Sequence, residues 1–453
     1  MKTGFLYFET ELITMLTYYV RLAFKSLRRT PVITALMISA IALGVGVCIT
    51  TLTVYRLMSG NPVADRNDVL YAVTLDSWDV NEPWDDKRPN LPPYELTYRD
   101  TAALMQSDIP SRQAAMRKGS FVVEGDAAKG VKPFRIEARL TTKDFFQMFE
   151  TPFEYGGGWD ADADRNAQRV VVLSKETNEK LFGGQDSVGK TVRMDGDDYK
   201  VVGVLKNWKP TPKVYDLNNG AFEDPEEMFL PFEIGIEKEM YSSGNTNCWR
   251  PESVSSFQDF LNSSCVWLQY WVELRDASQV EAYQNFIDNY VREQKKLGRF
   301  ERPLNNQLRH PDEWMKINRV VQSDNSVLVG LSFMFLAVCL LNMIGLLLAK
   351  FLGAAPLVGL RRALGASRAT IFNQHLIEVG VIGIAGGLLG IGIAALGLIG
   401  VRHMYENYEA LTRLDMTMSL FALLIAIASG VLAGLYPTWR VCRVQPAAYL
   451  KTQ

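Results

Sequence analysis

The sequence predicts an α-helical membrane protein with four transmembrane helices and a large mixed α/β extracytoplasmic domain inserted between helices 1 and 2. Three observations predict this fold: four long uncharged apolar stretches, an uneven distribution of Lys and Arg around them, and one polar segment large enough for its own hydrophobic core. Averages over the 453 residues, 48% hydrophobic with a net charge of -2, hide this segregation. The near-neutral charge also argues against nucleic acid as a partner.

Each apolar stretch is long enough to cross a bilayer, for which a helix needs about 20 residues. The predicted transmembrane helices 1 to 4 occupy residues 31–56, 326–350, 379–401 and 416–438. The first stretch exceeds the ~7–15 apolar residues of a signal peptide, so we interpret it as an uncleaved anchor.

The placement of basic residues predicts the orientation of these helices. Residues 1–30, 350–378 and 439–453 together carry 12 Lys and Arg, whereas the short loop at 402–415 carries two. Cytoplasmic loops are enriched in Lys and Arg. Both termini and the 351–378 loop are therefore predicted to be cytoplasmic, and the short loop and residues 57–325 are predicted to lie on the other side of the membrane. The chain is thus predicted to be a multi-pass membrane protein.

Residues 1–30 are predicted to contain an amphipathic helix that lies at the cytoplasmic membrane interface. Apolar residues recur there at helical spacing, with basic residues on another face. The apolar positions are Leu16, Tyr19, Val20, Ala23 and Leu27. Met1 and Met15 are both candidate start positions.

Glycines in helices 3 and 4 predict close packing between helices. Small residues spaced four apart let helix backbones approach where lipid provides no hydrophobic drive for association. The candidate packing residues are Gly383, Gly386, Gly387, Gly390, Gly430 and Gly434.

Residues 57–325 show the mixed pattern of an α/β domain. Strand-like runs occupy residues 120–123, 169–173, 191–194, 200–205 and 266–274. Helix-like runs occupy residues 142–149, 174–182 and 278–294, the last starting with Ser278 and Glu281 at capping-box spacing. Residues 207–262 are a candidate insert subdomain.

Cys248 and Cys265 are the two cysteines predicted to lie outside the cytoplasm, where disulfides persist. We predict that they pair; two free thiols are the alternative. The three histidines lie far apart in the sequence, so no metal site is predicted.

The segment GQDSVGKT at residues 184–191 matches the pattern of a phosphate-binding loop. That motif requires a strand before it and a helix after it, whereas here a helix-like run precedes and a strand-like run follows. We interpret it as a helix-to-strand turn. Because no catalytic constellation appears either, the chain is predicted to be non-catalytic.

Three blocks resemble permease subunits of the MacB/FtsX-like superfamily, the type VII ABC transporters. They are FKSLRRTPVITALMISAIALGVGV at 24–47, GLRRALGASRATIFNQHLIE at 359–378 with GGLLG at 386–390, and GLYPTWRVCRVQPAAYL at 434–450. The segment LTTKDFFQMF at 140–149 and the region from Val170 to Leu205 resemble the family's periplasmic core domain.

The resemblance implies a pair of such permeases clamped on the cytoplasmic side by two ABC ATPase subunits, which we expect to be separate polypeptides that bind ATP and Mg. No cofactor is expected on this chain. The 351–378 loop would couple to the ATPase. The implied coupling residues are Gly359, Leu360, Arg361, Arg362, Gly365, Ser367 and Arg368. We expect Gly365 to break the helix, Ser367 to cap the next one, and the three arginines to be exposed.

The chain departs from the family at Pro356 and Leu357, where members commonly carry a basic-acidic pair. This departure leaves both a homodimer and a heterodimer with a related permease open. Export or extraction of a substrate from the periplasm or outer leaflet, with a periplasmic adaptor and an outer-membrane channel as further candidate partners, is the leading functional hypothesis. The alternative is an FtsX-like signal relay that regulates an envelope enzyme without moving solute.

Overall fold

A computed structural model describes residues 17–125, 132–320, 323–404 and 416–443. Both candidate start positions, most of the predicted short loop at 402–415 and the end of the predicted tail at 439–453 lie outside these residues. The chain divides into a membrane unit (residues 1–58 and 322–453) and an α/β domain (residues 59–321). Within these described ranges, four helices are long and apolar enough to cross a membrane, and the α/β domain lies between the first and second of them in the sequence. The predicted fold class is therefore confirmed.

The helices of both units can be given in chain order. They are α1 (17–29), α2 (Pro31–Ser59), α3 (Tyr98–Leu104), α4 (Phe145–Met148), α5 (Ala161–Arg165), α6 (Lys175–Phe182), α7 (Phe232–Glu237), α8 (Phe257–Asn262), α9 (Ala277–Lys296), α10 (Pro311–Ile317), α11 (Ser323–Gly353), α12 (Ala355–Ala363), α13 (Arg368–Met404) and α14 (Met416–Cys442). The candidate spans are α2, α11, α13 and α14.

Glycines on two faces of α13 let its neighbours approach closely. On one face, a Cβ built on Gly383 would lie 3.1 Å from the carbonyl oxygen of Ala426 in α14, and one built on Gly387 would lie 2.8 Å from the Ala426 Cβ. On the other face, a Cβ on Gly386 would lie 2.7 Å from Ile41 in α2, and one on Gly390 would lie 3.2 Å from the Ala42 carbonyl oxygen. Helix α13 therefore packs between α2 and α14 through two separate glycine pairs.

Glycines of α14 complete the contact with α13. A Cβ on Gly430 would lie 3.3 Å from the Cα of Gly383, and one on Gly434 would lie 2.8 Å from the side chain of Val379. Buried apolar residues of α2, α11, α13 and α14 form one continuous core around these contacts.

The α/β domain is built on a ten-stranded mixed sheet. Its strands are β1 (Leu70–Thr74), β2 (Arg112–Val123), β3 (Phe134–Thr141), β4 (Phe153–Gly156), β5 (Val170–Leu173), β6 (Thr191–Met194), β7 (Asp197–Leu205), β8 (Met228–Pro231), β9 (Gln269–Glu273) and β10 (Gln307–Arg309). The strand order is β10-β1-β9-β2-β3-β8-β5-β7-β4, with β6 paired to β2 and β7. Pairs β3–β8 and β5–β7 are parallel, and the other pairs are antiparallel.

Three expectations from the sequence need correction. Residues 207–262 are not a separate insert, because β8 lies between β3 and β5 in the sheet. Strand β2 begins at Arg112 rather than at residue 120, since pairing with β3 and β9 holds a first half that lacks β-branched residues. Asp276, not Ser278, caps α9: its carboxylate accepts a hydrogen bond from the backbone N–H of Gln279.

The segment at 184–191 is a turn between α6 and β6, as predicted. Helix α6 ends at Gly183, whose φ of 67° lies in the left-handed region that favours glycine. Strand β6 then begins at Thr191. With the helix before the turn and the strand after it, no helix N-terminus faces the loop, so the arrangement of a phosphate-binding loop is absent here.

A buried network of charged side chains lies within the α/β domain. Arg139 in β3 pairs with Asp216 and Glu226, and all three side chains are at most 1% exposed. The ammonium of Lys213 lies 3.2 Å from Glu226, and the Tyr215 hydroxyl donates to the same carboxylate at 3.0 Å. Arg139 and Lys213 hold the pKa of Glu226 far below its usual range despite its burial. Pairing with Arg139 and Lys213 therefore stabilises the charged Glu226 carboxylate inside the folded domain.

Glu95 is linked to this network through Gln269, and within the described part of the chain it forms no salt bridge. Its carboxylate accepts a hydrogen bond from the Gln269 side chain at 2.6 Å. Burial, with repulsion from Asp216 as the second cause, raises the pKa of Glu95 to about 8. The folded domain thus holds a proton on Glu95 that the unfolded chain releases near its ordinary pKa of 4.5.

We expect the packing glycines to be far less tolerant than other glycines of the same helix. Gly383→Val places a side chain against the backbone of α14 and should cost about 1–3 kcal/mol of stability. Gly392→Val is the matched control, because nothing lies within 4 Å of a Cβ at Gly392. The thermal midpoint in detergent should fall for the first variant only. Equal midpoints for the two variants would contradict the packing described above.

Glu95→Gln should remove a pH dependence from the stability of the α/β domain. A raised carboxyl pKa means that the folded state binds the extra proton, so wild-type stability falls as pH rises between about 4.5 and about 8. The neutral variant should match wild type at pH 5 and exceed it at pH 9 by at least ~1 kcal/mol, since one pKa unit is worth about 1.4 kcal/mol. Pulse proteolysis of the full chain in detergent measures both. A constant difference across this pH range would contradict the assignment.

Candidate coupling site

The loop between the second and third spans folds into a compact elbow. Helix α12 follows α11 directly, with a Pro in its first turn, and ends before Gly365, which has a φ of 100°. The Ser367 hydroxyl accepts a hydrogen bond from the backbone N–H of Thr370 at 3.0 Å and so caps the start of α13. Gly365 and Ser367 therefore define a sharp turn between α12 and α13.

Two of the three arginines predicted to be exposed on this elbow instead bond to the chain itself. The Arg361 guanidinium donates to the Gln374 side chain at 2.9 Å, and Arg362 donates to the backbone carbonyl of Cys442 at 3.4 Å. Both are half-buried, whereas Arg368 is exposed. Gly359 is buried on the inner face of α12. Local sequence patterns do not predict these contacts, because the partners lie 13 and 80 residues away.

The exposed face of α12 carries leucines. Leu357, Leu360 and Leu364 are 44%, 48% and 80% exposed. Their spacing of three and four residues places them on one side of the helix. Val358 and Gly359 point to the opposite, buried side. The elbow therefore presents an apolar stripe, and Leu357 of this stripe is one of the two positions that depart from the family pattern.

Below the elbow, a buried ion pair joins the ends of two spans. The Lys350 ammonium in α11 lies 2.6 Å from Oε1 of Glu378 in α13, and both side chains are at most 5% exposed. The same oxygen accepts a hydrogen bond from the Ser26 hydroxyl in α1 at 2.7 Å. Nδ1 of His375 lies 3.4 Å from the other carboxylate oxygen. Glu378 thus ties three helices together at one point.

This cluster was not predicted from the sequence, although a signal for it exists. In the sequence, Lys350 and Glu378 are charged residues at the ends of two predicted spans. Opposite charges at the ends of successive antiparallel spans lie on the same side of the membrane and are candidates to pair. A buried carboxylate without such partners would be costly, and the contacts with Lys350 and Ser26 offset that cost.

A cavity of about 470 Å³ opens between α1, the end of α11, α12 and α13. Among the described residues, those that line it include four cations and no carboxylate: Lys25, Arg29, Lys350 and Arg361. Apolar side chains of Leu22, Ile33 and Leu357 complete its wall. The described part of the chain holds no cluster of His, Cys, Asp and Glu that would bind a metal ion. Since Lys350 is already paired with Glu378, the cations that remain to give this cavity a positive wall are Lys25, Arg29 and Arg361.

Two family models match the chain. The model of the MacB-like periplasmic core domain matches residues 34–290, and that of the FtsX-like permease C-terminal matches residues 329–446. The first match alone covers more than half of the chain, and the second contains the whole elbow.

Individual proteins are similar at lower identity. The macrolide export ATP-binding/permease protein MacB of Syntrophobacter fumaroxidans is 23% identical over 69% of this chain and 46% of its own length. The pyoverdine export ATP-binding/permease protein PvdT of Pseudomonas syringae pv. syringae is 24% identical over 68% of this chain and 42% of its own length. The chain thus spans less than half the length of these curated relatives.

Among solved structures, the periplasmic region of MacB from Actinobacillus actinomycetemcomitans covers 58% of this chain and 99% of that one. It has a TM-score of 0.36 and 11% sequence identity.

Lys350→Met should destabilise the membrane unit more than the double variant Lys350→Met, Glu378→Gln. The single change leaves a buried carboxylate without its cation, which typically costs about 3–5 kcal/mol, whereas the double change removes the charge as well. Thermal midpoints in detergent measure the order. Lys25→Met, at an exposed cation of the same cavity, is the control and should change little. A double variant less stable than the single variant would show that the ion pair does not act as described.

Proposed function

We propose that the chain couples ATP hydrolysis on separate ATPase subunits to movement of its α/β domain. The premise of this proposal is that the chain belongs to the MacB/FtsX-like family of type VII ABC transporter permeases. In this proposal, ATP and Mg bind to the partner ATPase, and this chain binds no cofactor. The chain acts as a non-catalytic, multi-pass subunit in the bacterial inner membrane. The positive-inside distribution of Lys and Arg supports an orientation with both termini and the elbow in the cytoplasm.

The leucine stripe of α12 is the observation that carries the proposal. An exposed row of three leucines beside a basic cavity is unusual on a loop that faces water, and such patches mark binding surfaces. We propose that Leu357, Leu360 and Leu364 pack into a groove of the ATPase. Arg368 and the cavity cations face acidic groups at the rim of that groove.

Transmission from the elbow requires that the bound helices move together. The Glu378 contacts tie α1, α11 and α13, and glycine packing ties α13 to α2 and α14. A displacement of α12 is then passed to the spans as a body instead of being absorbed locally. Since α2 and α11 are the spans that lead into and out of the α/β domain in the sequence, we propose that their movement drives the domain.

Export is the function that this arrangement supports best. The relatives MacB and PvdT are named for macrolide and pyoverdine export, and we propose that this chain likewise drives export or extraction of a substrate from the periplasm or outer leaflet. A second permease copy, identical or related, completes the complex. A periplasmic adaptor and an outer-membrane channel are further partners in this proposal.

A second candidate function is favoured by the match of residues 329–446 to the FtsX-like permease C-terminal. In that proposal the same movement relays a signal to an envelope enzyme and no solute is moved. Deletion of the chain separates the two: loss of efflux or secretion of a compound supports export, whereas unchanged export with altered wall hydrolysis supports the relay.

Leu360→Glu combined with Leu364→Glu should break the contact with the ATPase. Charges placed in an apolar interface are desolvated without partners, so recovery of the ATPase with the tagged chain from native membranes should fall at least tenfold. Leu297→Glu is the matched control, because Leu297 is 74% exposed in the α/β domain and far from the elbow in sequence. Undiminished recovery of the ATPase with the double variant would refute the leucine stripe as the contact surface.

A further inference from the structure

We infer that a small cleft of the α/β domain binds the carboxylate group of a ligand. The cleft has a volume of about 50 Å³ and lies where the loop after β1, the start of α3, the segment around the Cys248–Cys265 disulfide and the end of α9 meet. The side chains that carry the argument are those of Trp78, Arg99, Trp249, Arg250, Ser264 and Arg299. This inference does not depend on the proposed function.

Three hydrogen-bond donors in the wall of the cleft are buried and lack an acceptor among the residues that the structure describes. They are Nε of Arg99, Nε1 of Trp249 and Oγ of Ser264. Buried polar groups in folded proteins are nearly always satisfied, because an unsatisfied one destabilises the fold. Three such donors in one cleft indicate a site that is built for an acceptor.

Of the three arginines at the cleft, Arg99 alone forms no salt bridge within the described part of the chain, and the more distant Asp100 and Glu252 carboxylates only partly offset its repulsion with Arg299. Arg299 lies 2.7 Å from Asp100, and Arg250 lies 3.7 Å from Glu301. Arg99 has no carboxylate within 4 Å in the described part of the chain. Burial and the nearby Arg299 charge lower the pKa of Arg99. A monoanion placed beside Arg99 would relieve this repulsion.

The disulfide holds two of the donors in place. Cys248 and Cys265 are bonded to each other, and they directly adjoin Trp249 and Ser264 in the sequence. The backbone N–H of Ser264 also donates to the Glu252 carboxylate at 2.8 Å, which fixes the Ser264 segment against the same loop. Donors on two segments are thus held together before a ligand arrives, which lowers the entropy cost of binding.

Size and charge select a carboxylate over larger or more highly charged anions. A cleft of about 50 Å³ is far below the ~300–1,000 Å³ of pockets that enclose a whole small molecule. Only the end of a ligand enters, and the remainder lies outside. Glu252 and Glu301 also line the cleft and disfavour a dianion such as phosphate. The ligand is therefore a carboxylate-bearing molecule, such as a peptide with a free C-terminus or an acidic side chain.

Titration of the full chain in nanodiscs with sodium acetate tests the inference, with sodium chloride at equal ionic strength as the reference. Since Trp78 and Trp249 line the cleft, acetate should change the tryptophan fluorescence in a saturable way. Arg99→Gln should weaken acetate binding at least tenfold. Arg193→Gln, at an exposed arginine paired with Glu124, is the control and should bind acetate like wild type.

Trp249→Phe keeps an aromatic ring but removes the N–H donor together with part of the indole volume, so it should weaken acetate binding several-fold without loss of folding. Its effect is read from the acetate dependence of the thermal midpoint. Three outcomes overturn the inference. Saturable binding of inorganic phosphate tighter than that of acetate would show a different anion site. An acetate response that is unchanged in both Arg99→Gln and Trp249→Phe would place binding elsewhere. Absence of any acetate response would leave only ordered water as the acceptor.

Discussion

The buried contact between Lys350 and Glu378 is the constraint on which the membrane unit depends. It closes the base of the elbow, and Glu378 extends it through Ser26 to α1. Because a lone buried charge is costly, the ends of α11 and α13 are held in one register. Helix α12 therefore projects from a fixed base with its leucines outward. In the proposed docking role of α12, this fixed base keeps the leucines available to a partner.

Glycine packing extends that constraint along the spans. Helix α13 meets α14 and α2 on separate faces through small residues, so the spans behave as one packed body rather than as four anchors.

Charge is divided unevenly along the chain: residues 58–325 carry 44 acidic against 33 basic side chains, whereas the predicted cytoplasmic segments are basic. In the predicted orientation, the neutral average combines a basic cytoplasmic side with an acidic domain on the other side of the membrane.

The spans, the glycine faces and the Cys248–Cys265 pair could be read from the sequence because each depends on local composition or on membrane topology. The order of the sheet could not, since β8 lies beside β3, which is about 90 residues earlier in the chain. The exposure predicted for Arg361 and Arg362 is wrong, because their hydrogen-bond acceptors lie on α13 and at the end of α14. The leucine stripe could not be predicted, because leucines are common in membrane proteins and only the structure shows that these are exposed.

Nucleotide-dependent movement of the α/β domain tests the central claim most directly. The described cysteines outside the disulfide are buried, so spin labels can be placed on Leu297→Cys in the α/β domain and on exposed Leu388→Cys in α13. Pulsed electron paramagnetic resonance in nanodiscs that contain the ATPase then gives the distance between the two labels with and without trapped ATP. We expect the distance to shift in wild type and to remain fixed when Glu378→Gln is added while the ATPase stays bound. An equal shift in both proteins, or none in wild type, would contradict coupling through the elbow.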